Sequence, residues 1–153
     1  MANPDNFDTR GERVQKLSSL PRTSFAEYFR EMMKVLDFTS KRLVDESKLT
    51  NETVAHLRSG QGRPKINTVL SALIAMKVPP LEAKDALSLA GHDFIAGDKV
   101  HRHYRTLVQH YFEKSIDECN DILRAKGVRD SDLLGQVKGS KLSEDTDINK
   151  DKE

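Results

Sequence analysis

The chain has 153 residues, 37% of them apolar and 32% charged, with 25 basic against 24 acidic side chains and a formal net charge of +1. That length suffices for one domain plus extensions, and so even a charge balance excludes a bulk electrostatic argument for a polyanionic partner; any such footprint has to be local. The single cysteine, Cys119, excludes an internal disulfide and a multi-cysteine zinc site, and fits a reducing cytoplasm. No apolar run approaches membrane length, and the first residues, MANPDNFDTRGER, hold no apolar signal core. No membrane partner is therefore expected.

Residues 1–23 read as a polar extension with one weak apolar patch, Val14, Leu17 and Leu20. Thr9 with Glu12 has the spacing of a capping box, which predicts a short helix ending before Pro21. In SFAEYFREMMKVLDF, apolar residues fall at 25, 28, 29, 32, 33 and 36, the three- and four-residue steps of an amphipathic helix capped by Ser24 or Thr23. Thr39 is placed to cap a helix that buries Leu43 and Val44. Thr50 is placed to cap the next, with Val54 and Leu57 inward and Gly60 as its stop. Gln61–Lys65 is a loop, residues 66–77 a strongly apolar helix broken at Pro79-Pro80, and residues 81–90 a fifth short helix closed by Gly91.

From Asp98 to Lys126 apolar residues recur at 100, 104, 107, 108, 111, 112, 116, 119, 122 and 123. This predicts one long helix over 98–127, whose stripe either folds back on the preceding helices or pairs with a second chain. Residues 128–153 hold seven acids and five bases with almost no aromatic or branched residues, the composition of a charged, disordered tail. No segment reads as a strand, so the fold class is all-α.

Two short helices joined by a tight turn, residues 39–47 and 50–59, have the layout of a helix-turn-helix. The wider stretch FREMMKVLDFTSKRLVDESKLTNETVAHLRSG followed by GRPKINTVLSALIAMKVPPLEAKDALSLAG resembles the lambda-repressor-like DNA-binding domains, the XRE or Cro-repressor family, over residues 25–92. The resemblance implies a five-helix DNA-binding domain over residues 24–94. It also implies double-stranded DNA as partner and a homodimer, in a bacterial or phage cytoplasm and associated with the nucleoid. One position departs from the family: Lys48 stands in the turn where glycine is common.

Carried over position by position, the resemblance puts Asn51, Glu52 and His56 against base edges. Ser40, Lys41, Arg58, Ser59, Gln61, Arg63 and Lys65 fall against the phosphate backbone. Asn pairs bidentately with adenine, Glu accepts from cytosine N4, and His donates to guanine or a phosphate. From Thr39 to Lys65 there are six bases and three acids, a modest local excess. A carboxylate at Glu52 also suits the helix dipole with no DNA present, and read alone this face is the solvated side of an amphipathic helix.

His101, His103 and His110 lack the further ligands of a metal site, and Cys119 lies on an apolar stripe rather than beside a base. No HExxH, phosphate-loop or Ser/His/Asp signature is present, so neither an enzyme, a cofactor nor a metal is expected. The resulting expectation is a sequence-specific transcriptional regulator, a repressor by preference. The rival reading is a protein-interaction module on the same scaffold, such as an antitoxin or adaptor that binds a protein through the helix over 50–59 or the long last helix, or a subunit of a larger assembly in which the long helix and the acidic tail meet the partner.

Overall fold

The structure is a computed structural model that describes residues 4–135, with side chains from residue 11 onward. Among these residues the secondary structure is entirely helical: α1 (Pro4–Ser19), α2 (Phe25–Val35), α3 (Ser40–Ser47), α4 (Asn51–Ser59), α5 (Ile66–Ala75), α6 (Pro80–Leu89), α7 (Lys99–His110) and α8 (Ile116–Ala125), then a 3-10 turn at Asp130–Asp132. No described helix is long and apolar enough to cross a membrane.

The middle of the fold is α5. Every residue from Val69 to Ala75 is buried, as expected of a helix that is apolar all round. α3, α6, α7 and α8 pack against it, while α2 joins α1, α4 and α6 on the other side. The caps follow local chemistry. The hydroxyls of Ser24, Thr39 and Thr50 accept from Glu27 N, Arg42 N and Thr53 N at the heads of α2, α3 and α4, satisfying amides that have no carbonyl within the helix. Pro80 serves as the first residue of α6, where its missing N–H costs nothing.

Arg22 ties the N-terminal helix to this body. Its guanidinium donates to the carbonyls of Leu17, Ser18 and Leu20, pairs with Asp85 of α6 at 3.2 Å, and lies 4.7 Å above the Tyr28 ring. One cation thus neutralises the carbonyl end of α1 and joins it to two other helices.

Three sequence expectations are corrected. First, α1 begins at Pro4, so Thr9 lies inside the helix rather than at its start. Second, the predicted long helix over 98–127 is two helices, α7 and α8, separated at Tyr111–Ser115. The Ser115 hydroxyl accepts from Glu118 N at 3.1 Å, and the Glu118 carboxylate accepts from Ser115 N at 3.0 Å. This capping box starts a new helix. The apolar spacing runs through the break without a change of phase, which is why periodicity alone did not reveal it. The stripe is spent inside the fold, with Tyr104, Leu107, Val108, Ile116, Cys119 and Leu123 all buried, so this helix pair does not offer it to a second chain or other protein partner. Third, residues 128–135 are not tail. Val128, Leu133 and Leu134 are buried, and the rest of the expected tail lies outside the described residues.

Residues 129–135 form a strap across α5, α7 and α8. Asn120 holds it with a matched pair of bonds: its amide nitrogen donates to Leu134 O at 3.0 Å and its oxygen accepts from Leu134 N at 2.8 Å. Asn67 Nδ2 donates to the Ser131 and Leu133 carbonyls, Tyr104 Oη to Asp132 O, and Gly135 N to Ser71 Oγ. Asn120 is itself buried. Asn120→Ala therefore strands a buried N–H and C=O, and should cost about 2 kcal/mol, read as a lowered midpoint in urea with an unchanged slope.

Two cap carboxylates set an acid limit. The Asp98 carboxyl is held below its ordinary value chiefly by the backbone N–H of His101, and that of Glu118 by the backbone and then the hydroxyl of Ser115. A depressed folded pKa contributes stability that is complete above the unfolded value, about 4. That contribution is lost as pH falls through the folded one. The Tm difference between wild type and the Asp98→Asn/Glu118→Gln variant should be constant near neutrality and vanish in acid; a gap that widens in acid would contradict the assignment.

Candidate functional site

α3 and α4 meet through a turn at Lys48–Thr50. Lys48 sits in the left-handed region at φ 64. Its N–H donates to Val44 O at 3.1 Å, and the buried Ser47 hydroxyl accepts from Leu49 N at 3.2 Å, while Leu49 is anchored in the core. The turn thus has the backbone that favours glycine, filled by a lysine. Its neighbour leaves little room: a Cβ on Gly135, itself at φ 75, would lie 2.7 Å from Lys48 Cβ. The end of the strap therefore rests on the helix-helix turn.

Val54 and Leu57 anchor α4 from below, which turns Asn51, Glu52, Ala55 and His56 outward, all exposed. Gly60 ends the helix at φ 80, with Gly60 N and Gln61 N both donating to His56 O; a Cβ there would meet Ala26 Cβ at 3.2 Å. The close approach of α2 to this corner thus adds a second reason for glycine.

The expected base-facing residues lie together. Asn51 and Glu52 form the first turn of α4, and His56 stands one turn later on the same face. The expected backbone-facing residues separate into two groups. On one side Arg58 folds back and donates to Ser40 Oγ at 2.8 Å, while Arg30 of α2 donates to Arg58 O. Lys41 is paired with Asp45 at 3.5 Å, in an exposed and therefore weak contact. On the other side Gln61, Arg63 and Lys65 join His56 around a groove of about 510 Å³. Ser59 is exposed between the groups, its hydroxyl directed to His56 O.

The groove has residues that sequence reasoning did not single out. Thr53 of α4, Asn67 and Thr68 of α5, and Asp130, Ser131, Leu133 and Gly135 of the strap complete its walls. No local signal could have placed the strap there, since Asn67 reaches its partners across more than sixty positions. Arg30 was likewise missed: it sits on the polar face of α2, and only the packing of α2 on α4 brings it to Arg58.

Two of the remaining polar candidates, His101 and Cys119, are accounted for by packing. His101 Nδ1 accepts from Ile95 N at 3.0 Å, and the ring stacks 6.0 Å from Tyr104. Cys119 is buried, and burial pushes its thiol up to about 11. No group of three or more His, Cys, Asp or Glu side chains among the described residues could hold a metal ion.

Lys48→Gly relieves the left-handed strain and should stabilise the protein by up to about 1 kcal/mol in chemical denaturation. A loss of stability would mean that the lysine stem, packed beside Gly135, outweighs the backbone cost. No protein-family model, curated protein or solved structure matches this chain.

Proposed function

We propose that this chain is a sequence-specific DNA-binding transcriptional regulator, a repressor by preference, that acts as a homodimer and reads the major groove with α4. The observation that carries the reading is the exposed outward face of α4, which presents Asn51, Glu52 and His56 together at the end of a tight turn, with cations to either side. A helix N-terminus entered from such a turn is the geometry in which three or four side chains reach base edges. Arg58, Arg63 and Lys65 supply attraction from the flanks, so the reading edge itself needs little positive charge. Glu52 rewards a cytosine and repels phosphates in the wrong register. The buried stripe of α7 and α8 leaves the dimer contact to another surface, and Leu81 and Ile95 are the large apolar side chains left exposed among the described residues, at 67% and 61%.

Electrophoretic shift of duplexes selected from a random pool tests this. Asn51→Ala with His56→Ala should lose at least tenfold in affinity for the selected sequence, about 1–3 kcal/mol per base contact, and little for random DNA. Arg63→Ala with Lys65→Ala should weaken both about equally and flatten the salt dependence. Glu52→Gln should raise random-sequence affinity and relax preference at one base pair. Selection that enriches no sequence, or binding indifferent to all of these changes, overturns the reading.

A second reading has specific support: a protein-interaction module on the same scaffold. The net charge is only +1, Lys41 is already paired with Asp45, and Asp130 puts a carboxylate in the wall of the groove that a phosphate would enter. A tight protein partner, together with duplex affinity that does not depend on salt, would favour it.

A further inference from the structure

The large apolar side chains left in solvent lie on a surface that α4 does not share. Leu81 of α6 and Ile95 of the loop before α7 are both well exposed. Leu81 borders a hollow of about 540 Å³ whose lining includes the buried Leu87 and Val108, and Ile95 borders a second of about 300 Å³. Phe94 and Arg105 line both. The two hollows therefore adjoin as one trough, with Leu81 in one half and Ile95 in the other.

The loop that carries Ile95 is pinned in place. Ile95 N donates to His101 Nδ1 at 3.0 Å, Asp98 N donates to Ile95 O at 3.1 Å, and the Phe94 ring meets the His101 ring edge-on at 6.4 Å. Earlier in the loop, Ser88 Oγ donates to Asp93 Oδ1 at 3.1 Å, and His92 Nε2 lies 2.7 Å from Pro64 O. The outward position of Ile95 is thus set by its neighbours, which lowers the ordering cost of a contact there.

The charge along the trough is one-sided. Lys84, Arg102 and Arg105 are exposed on it, and none of them forms an ion pair among the described residues. The half that holds Ile95 has no acid in its lining, and the other half has Asp93 alone, already bonded to Ser88. Arg102 and Arg105 are three positions apart on α7 and so share a face.

These features select an occupant. A DNA backbone satisfies the cations but brings no side chain to the apolar hollows. An anionic bilayer offers both chemistries on a flat surface, whereas Leu87 and Val108 lie buried in a concavity. A second copy around a twofold axis sets the patch against itself, so the unpaired cations of both copies would repel. A polypeptide segment that alternates carboxylates with large apolar side chains meets both the shape and the charge.

We propose that this trough binds an acidic segment of another protein. Its aliphatic or aromatic side chains enter the hollows beside Leu81 and Ile95, and its carboxylates pair with Lys84, Arg102 and Arg105. The dimer axis of the DNA-binding reading then lies elsewhere. No lining residue belongs to α4 or to the groove beside it, so this proposal stands or falls apart from that reading.

The test selects ligands for the full-length protein from a display library of random peptides and measures them by fluorescence anisotropy. The selected peptides should be rich in Asp and Glu and carry Leu, Ile or Phe. Their affinity should fall at least about tenfold, the mark of an interface hot spot, in Leu81→Ser/Ile95→Ser and in Arg102→Ala/Arg105→Ala. It should weaken with salt in the wild type and less so in the arginine variant. Arg124→Ala/Lys126→Ala, an equal charge change at the C-terminal end of α8, should leave it unchanged. All four residues of the two trough variants are exposed or on exposed turns of the surface, and an unchanged thermal midpoint confirms that the fold is kept. Selection that enriches no acidic peptide, or peptides indifferent to both trough variants, overturns the proposal. Three further outcomes also overturn it, each by naming a different occupant. One is a dimer that Leu81→Ser/Ile95→Ser turns into a monomer in sedimentation. Another is binding to phosphatidylserine vesicles that the trough variants abolish. The last is random-duplex affinity that falls in Arg102→Ala/Arg105→Ala and not in the α8 control.

Discussion

The burial of α5 is the constraint from which the rest of the structure follows. A helix apolar on all sides cannot remain at a surface, and residues 69–75 find cover only if helices approach from several directions. α3, α6, α7 and α8 each supply part of that cover. One polar group survives at the centre, the Ser71 hydroxyl. It donates to Asn67 O and accepts from Gly135 N, so both its capacities are used, as burial requires. The same hydroxyl that satisfies α5 internally also pins the last described residue of the strap.

That arrangement links the strap to the turn between α3 and α4. Gly135 lies against Lys48 with no space for a side chain, and Asn120 fixes the residue before it. The angle between α3 and α4 is therefore held from two sides: from below by Leu43, Leu49, Val54 and Leu57, and at the turn by the strap. The outward face of α4 is exposed because its inner face is committed to that core. The cationic groove exists because the loop after α4 and the strap come to opposite walls. Seen this way, the C-terminal part of the described chain is no appendage to the helical domain but one side of its candidate site.

Much of this was legible in the sequence. The helices from α2 to α6 announce themselves by caps at Ser24, Thr39 and Thr50, by apolar residues at three- and four-residue steps, and by Gly60 and Pro80 at their boundaries. These signals are local, and local hydrogen bonds enforce them. The grouping of Asn51, Glu52 and His56 on one face is likewise a consequence of helical spacing. The break between α7 and α8 was written as the capping box of Ser115 and Glu118, but a continuous apolar stripe concealed it. The stripe reports burial, and burial on one side does not require an unbroken helix.

What the sequence determined by itself is the all-helical class of the described residues, the caps that bound most helices and the composition of the α4 face, because each depends on residues within a turn or two of one another. What only the tertiary structure decided is the fate of the α7–α8 stripe, the recruitment of Arg30 to Arg58, and the course of residues 128–135. Those depend on partners dozens of positions away, such as Asn67 and Ser71 for the strap. A segment of mixed charge with one buried Leu-Leu pair looks like tail until a groove between α5, α7 and α8 offers that pair a place and Asn120 satisfies its backbone.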